Sequence, residues 1–437
     1  MRTELHRSMT SRTPGRRSSV GVRLATVLLA GTLLAAACGS DEDSSASTAA
    51  PVTTGAAATT AAPETTGASE TTVASETTAT AGDTSPDDST ATETPGGVTP
   101  REGDFSDTKV VMIMDGAIDD GGWNTAHARG GKVIEDTFPG IEVDYVEDIA
   151  PGQTATNAFE DAVAAGADMV IGTTFYQDDM MAVAADNPDV TFLTWAGYET
   201  ADNVGHYDAA SEDGRYLDGM IAGMLTESNI IGYPVGFPYN EVNRAVNAFT
   251  LGAREVNPDA EVHVVYVNTW FDPALEQQAA EALVNAGADV LAHEVGAQVY
   301  ATVAAQNGGH VIGYTNDWSA LEPEAWASSF LYDWGTYYAG QVGDMIDGTW
   351  EPAITFGGLK DGFISFAPYG PDVTDEMLAK VEERKQGIID GSFDMFAGPI
   401  TDNKGNVVIA EGETIPFAER IECCQWLVEG VVGEIPG

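Results

Sequence analysis

The chain has 437 residues, 43% hydrophobic and 8% aromatic, enough for a sizeable core and for more than one domain. Nineteen basic side chains stand against 68 acidic ones, a formal charge of −49, so general electrostatics exclude nucleic acid or an anionic membrane face as a partner. Three cysteines exclude a disulfide scaffold, and no apolar run reaches the ~20 residues of a membrane span.

Arg2, Arg7, Arg12, Arg16, Arg17 and Arg23 crowd the first 23 positions, ahead of the apolar stretch Leu24–Ala37 and Cys38. A basic start, a short apolar core and small residues before a cut predict a secretory signal over 1–37. Cys38 directly after Ala35, Ala36 and Ala37 resembles a bacterial lipobox, although that pattern prefers Leu where Ala35 stands. The resemblance implies a lipidated Cys38 and a protein held by its lipid on the extracytoplasmic face of the cell membrane. Arg16-Arg17 lacks the apolar follow-up of a twin-arginine signal. Residues 39–100 hold ten carboxylates and no Lys, Arg or aromatic residue. Such a segment buries too little apolar surface to offset its chain entropy, which predicts a disordered tether over 38–105 and a folded domain over 106–437.

From Lys109 the pattern becomes regular. Short apolar runs at 109–114, 142–148, 168–174 and 190–197 alternate with helix-period stretches up to 138, at 154–165 and at 177–186. The alternation restarts with strands at 230–237, 261–267, 289–295 and 310–315 and helices around 241–255, 273–286 and 297–307. This predicts an α/β protein of two doubly wound, Rossmann-like lobes joined by a hinge. Lobe I is expected over about 106–209 and 326–352, and lobe II over about 210–325. Helices around 336–347 and 373–390 belong to a remainder that finishes both lobes. AGAD recurs at 165–168 and 286–289, where its Gly is placed to end a helix.

Enzyme signatures are missing. The chain has no GxxxxGK[ST], no GxGxxG after a strand, no GxSxG and no HExxH, and its histidines lack metal spacing. No cofactor, metal or catalytic residue is therefore expected. The DNKGN run at 402–406 reads as a hairpin turn. Cys423 and Cys424 are adjacent and can be a vicinal disulfide or two quiet thiols.

Ligands of open α/β sheets sit beyond the carboxyl ends of strands. Here those ends read DGAIDDGGWN (115–124), FYQDD (175–179), WAGY (195–198), FPYNEVN (237–243), NTWFD (268–272) and YTNDW (314–318). Each carries an aromatic, and Trp123, Trp195, Trp270 and Trp318 are four of the eight tryptophans. Aromatic faces with a few polar groups suit a planar, polar small molecule.

Signal, cysteine, tether and two α/β lobes resemble a solute-binding lipoprotein of an ABC importer. DGAIDDGGWNTAHARG, TTFYQDDM, GFPYNEVNRAVNAFTLGAREVNP, VNTWFDPALEQQAAEALVNAGAD and GYTNDW are similar to the basic membrane protein (BMP) family, of type I periplasmic-binding-protein architecture. The resemblance implies a non-catalytic, monomeric binder of purine bases or nucleosides that serves an ABC permease. It places Trp123 on the base with Asn124 beside it, and Asp115, Phe175 and Trp195 in the same lobe. Glu241, Asn243 and Trp270 would face them. In the family's GxDxD pattern Thr315 replaces the first Asp and Asp317 keeps the second, which removes the usual partner of a ribose diol and leaves a free base or another heterocycle open. Trp334 stands where the family has a Lys. A stacking Trp123 is expected to lose affinity but not stability on truncation. The other readings are a sugar-binding or sensing protein of the same fold, and a secreted nucleoside-processing enzyme using Asp119 or Asp120.

Overall fold

The computed structural model describes residues 99–436. The predicted signal, Cys38 and most of the tether lie outside the described residues. Packing starts slightly before the expected domain boundary at 106. The Arg101 N–H donates to the Thr137 carbonyl at 2.8 Å, its guanidinium meets Asp347 at 2.9 Å, and Phe105 lies edge-on to Phe138 at 5.4 Å.

Lobe I opens with β1 (Val110–Ile113), α1 (Trp123–Thr137), β2 (Val143–Val146), α2 (Gln153–Ala164), β3 (Met169–Gly172), α3 (Gln177–Asp186), β4 (Thr191–Trp195) and β5 (Val204–Ala209). The chain then enters lobe II through α4 (Ser211–Leu225), β6 (Ile230–Val235), α5 (Asn240–Val256), β7 (Glu261–Tyr266), α6 (Pro273–Asn285), β8 (Val290–Ala292), α7 (Val299–Gln306), β9 (His310–Ile312) and β10 (Trp326–Ser328). It returns through β11 (Phe330–Tyr332), α8 (Gly335–Asp347) and β12 (Ile354–Gly357). It finishes with β13 (Ile364–Phe366), α9 (Asp375–Asp390), the β14 (Ile400–Thr401) and β15 (Val407–Ile409) hairpin, and β16 (Val431–Val432).

The first sheet runs β2-β1-β3-β4-β5-β12 and the second β16-β7-β6-β8-β9-β10, with every pairing in both parallel. The two lobes thus repeat one strand order, extended by one strand at opposite edges. Helices cover both faces of each sheet, so β1 and β3 are buried at every position, as continuous apolar runs require. The return to lobe I falls later than the sequence suggests. Trp326–Ser328 still pairs with β9, and β12, beyond residue 352, closes the first sheet beside β5. Three crossings join the lobes: after Ala209, between Ser328 and Gly335, and after Gly357. The antiparallel β11–β13 ribbon lies among them.

Gly166 and Gly287, at φ of 86° and 106°, follow α2 and α6 as the AGAD repeats lead one to expect. The DNKGN run is the β14–β15 turn, where Asp402 Oδ1 accepts the N–H groups of Lys404 at 2.9 Å and Asn406 at 2.7 Å. Cys423 and Cys424 are joined as a vicinal disulfide. Among the described residues no helix is long and apolar enough to cross a membrane.

Candidate functional site

In each lobe the strand order reverses beside a central strand, β1 or β6, where ligands of such sheets bind, and the loops of the two lobes meet there. The lobe I wall is built on the start of α1. Asp120 Oδ1 accepts the N–H of Gly122 at 2.7 Å and both the N–H and the hydroxyl of Thr125 at 3.1 Å. Its Oδ2 accepts the N–H of Asn124 at 3.1 Å and that residue's Nδ2 at 3.0 Å. These bonds satisfy donors that the first helical turn leaves free. Asp120 therefore fixes a helix terminus.

The helix so fixed carries Trp123. Its Nε1 donates to the Thr173 carbonyl at 2.9 Å, and edge-to-face contacts join its ring to His127 at 4.5 Å, Trp195 at 5.0 Å and Tyr332 at 5.5 Å. Phe175, beyond β3, is 47% exposed and meets Trp195 at 4.7 Å. From lobe II, Tyr239 stacks on Phe237 at 5.8 Å, and Trp270 lies 5.2 Å from Phe237. Phe175 and Tyr239 approach to 6.0 Å and so carry the aromatic lining from one lobe to the other.

Beneath the rings lie carboxyl groups. Asp208 is the penultimate residue of β5 and Glu294 follows β8; burial pushes both up to about 7, and the charge of Glu241 adds to the rise in each. Glu241 is half-buried in the first turn of α5, and burial raises its carboxyl as well. Arg215 and Tyr233 donate to Glu294 at 3.5 and 3.3 Å. Asp115 is open to solvent at the end of β1, yet the surrounding protein raises its carboxyl, with the Asn124 amide restraining the rise. Near neutral pH Asp208 and Glu294 can accept or donate hydrogen bonds, the capacity needed to read a neutral ligand rich in N–H or O–H groups. Among the described residues no His, Cys, Asp and Glu cluster is arranged to hold a metal ion.

Trp123, Phe175, Trp270, Asp115 and Glu241 lie on these loops and helix starts, and Trp195 is the buried last residue of β4. Other expectations are corrected. Trp334 is 1% exposed, stacked between His127 at 5.0 Å and Tyr332 at 4.9 Å, and belongs to the aromatic core behind Trp123 rather than to the cleft wall. Asn243 is buried and accepts the Tyr266 hydroxyl at 2.6 Å, so it positions that tyrosine. Asn124 is buried against Asp120. Asp317 faces solvent and caps its own turn by accepting the Ser319 N–H at 2.9 Å. Trp123 is packed on several rings, so its truncation affects stability as well as affinity. Sequence reasoning missed Asp208, Tyr239, Glu294 and Tyr332. Tyr239 alone carried a signal, as an aromatic in a strand-end loop.

The model of one family, described as ABC transporter substrate-binding protein PnrA-like (Bmp), matches residues 107–392. A Haloferax volcanii protein, provisionally named an ABC transporter glucose-binding protein, is 36% identical over 345 residues, 79% of this chain and 85% of its own length. A purine-binding protein of Brucella abortus is 33% identical over 307 residues, 70% of this chain and 87% of its own. Among solved structures, an ABC transporter solute-binding protein from Conexibacter woesei superposes with a TM-score of 0.57 at 22% identity, covering 66% of this chain and 98% of that one. That likeness is one of fold.

Proposed function

We propose that the chain, which belongs to the Bmp family of PnrA-like ABC transporter substrate-binding proteins, captures a purine base or purine nucleoside between its lobes and presents it to a membrane permease. The observation that carries this reading is the aromatic lining of both lobes, Trp123, Trp195 and Phe175 against Tyr239 and Trp270, continuous through the Phe175–Tyr239 contact at 6.0 Å. A planar heterocycle stacks on such faces, while Glu241 and Asp115 offer acceptors to its N–H groups. Thr315 in place of an acid leaves a ribose diol without its usual partner, so the free base should bind at least as well as its nucleoside.

The test is a thermal-shift screen of adenine, guanine, hypoxanthine, their nucleosides, ribose and glucose, followed by calorimetry. Ligands that bind only the folded state raise its melting temperature. Purines should do so, and a nucleoside should be recovered intact after incubation; sustained turnover would defeat the binding reading. A stacked base contributes roughly 1–3 kcal/mol per aromatic residue. Phe175→Ala should therefore weaken purine binding about ten- to a hundredfold with little change in the free protein's stability. Trp123→Ala should lower both.

A second reading is a neutral sugar. It is favoured by the glucose-binding name of the Haloferax relative and by the protonatable carboxyls of Asp208, Glu241 and Glu294, each raised by burial, which suit hydroxyl groups. A melting shift with glucose and none with any purine would select it.

We place the protein on the membrane surface through a lipid on Cys38. A Cys38→Ala protein should then appear in the culture medium, and unchanged membrane retention would count against the anchor.

A further inference from the structure

Lobe II grips lobe I at a point the ligand does not explain. Asn316, in the loop after β9, donates through Nδ2 to the carbonyls of Gly121 and Gly122, both at 2.7 Å. Trp318 Nε1 donates to Gly121 O at 3.1 Å. In the opposite direction Arg129 of α1 donates to Thr315 O at 2.9 Å and to Asn316 Oδ1. The Asn316 amide is thus consumed by lobe I on both its atoms, and the residue is buried. Trp318 is held rigid by stacking on His293 at 5.3 Å, which in turn stacks on Tyr300 at 4.3 Å. The fit is tight as well: a Cβ on Gly121, at φ 71°, would come within 2.8 Å of Gln298 Nε2 from the other lobe.

A force opposes this contact. Lobe I, taken as residues 106–209 and 330–357, carries 24 acidic and 3 basic side chains. Lobe II, taken as 210–329 and 358–436, carries 31 acidic and 9 basic ones. Two bodies of strong like charge repel each other. Arg129 lies in the contact itself, where burial works against its charge and Asp333, Asp317 and Asp120 offset only part of that.

We propose that Asn316, Arg129 and Trp318 form a latch that holds the lobes shut against their own like charge, independently of the ligand. The three are positioning residues. Asn316 and Trp318 touch loop carbonyls one and two residues before Trp123, so the latch also fixes the start of the helix that bears that ring. A ligand that needs the closed form binds with an apparent Kd equal to the intrinsic one divided by the closed fraction. Loosening the latch therefore weakens binding with no ligand contact removed. Salt acts in the opposite sense. Screening shortens the reach of charge from about 10 Å at 0.1 M to about 3 Å at 1 M, so added salt favours closure.

The proposal rests on the two-lobe capture reading but not on the ligand's identity, and its test needs no ligand. Spin labels on Glu160→Cys in α2 and Glu281→Cys in α6, in a Cys38→Ser background under non-reducing conditions, report the distance between the lobes. The wild-type chain should show a short-distance population without ligand. Asn316→Ala and Arg129→Ala should each move it to longer distances, and raising KCl from about 0.05 M to 1 M should move it back. Arg129 lies outside the buried core, so its variant remains informative if Asn316→Ala folds poorly. With a ligand found by the screen, Arg129→Ala should weaken binding about tenfold at low salt and less at high salt. Identical distance distributions in wild type and Arg129→Ala would overturn the latch, and distances indifferent to salt would overturn the role of like charge. A failed purine screen leaves both outcomes readable.

Discussion

Arg215→Ala should destabilise the domain by about 3–5 kcal/mol, the cost typical of stranding buried charges, and more than any truncation in the cleft. Arg215 lies on α4 with no exposed surface. It donates to the Gly313 carbonyl at 3.0 Å and to the His293 carbonyl, and it faces Glu294 at 3.5 Å and Asp218 at 3.6 Å. Its guanidinium also sits 4.7 Å from the Phe330 ring centre and 5.3 Å from that of Tyr314. Alanine would leave two buried carboxyls without their counter-charge, two carbonyls without a donor, and a cavity among aromatic rings. Arg384, paired with Glu255 nearer the surface, gives the control: exposed pairs contribute up to about 1 kcal/mol. Urea unfolding at constant slope measures both. A loss below about 1 kcal/mol for Arg215→Ala would show that the cluster does not depend on this cation. Arg215→Met combined with Asp218→Asn should recover part of the loss, because it removes one stranded charge and fills the space.

The same helix shows where sequence reading fails. The outer strands and helices of both lobes were legible because their polarity follows the usual rule, apolar inward and charged outward. In α4, SEDGRYLDGMIAGML, the rule is inverted: Glu212, Asp213, Arg215 and Asp218 are all buried. They are held by partners distant in sequence, Arg244 bonding Glu212 at 2.8 Å and Ser328 bonding Asp218 at 2.7 Å. Close approach hides the helix further. A Cβ at Gly219 would fall 2.0 Å from Phe249 O, and one at Gly252 the same distance from Tyr216 O, so α4 and α5 meet backbone to backbone. The preceding strand, VGHYDA, is buried throughout despite His206 and Asp208 and gives no apolar run to notice.

The site divides in the same way. Aromatic residues at strand ends announce a cleft because ligands of doubly wound sheets sit there. Trp334 looks identical in sequence to Trp123, and only the β11–β13 ribbon and α8 decide that one is enclosed and the other faces the cleft. Asn316 lies between Thr315 and Asp317, in a motif read for its acids, yet the amide carries the contact between lobes. Such roles depend on what the opposite lobe presents, which no local pattern encodes.

The buried carboxyls set a pH dependence opposite to ordinary acid denaturation. Lowering the pH from about 8 to about 6.5 should stabilise the domain. Asp208, Asp213 and Glu294 are each raised to about 7 by burial, against about 4 in an unfolded chain. Between those values the folded state holds protons that the unfolded state has released. Stability from these groups is therefore complete below about 4 and is lost as the pH rises through 7. Each such proton contributes about 1.4 kcal/mol per pH unit where it is fully retained. Buried histidines oppose the trend below their unfolded value of about 6.5. His127 and His206 are lowered by burial and His293 falls to about 3, so each must lose its proton to fold. The carboxyl gain should thus dominate from about 8 to 6.5 and flatten below. Melting and urea curves across that range measure the slope, and Asp208→Asn isolates one proton of it. The variant should be more stable than wild type at pH 8 and should lose up to one proton's share of the slope. A wild-type protein more stable at pH 8 than at 6.5, or an unchanged slope in Asp208→Asn, would mean that these carboxyls remain ionised in the fold.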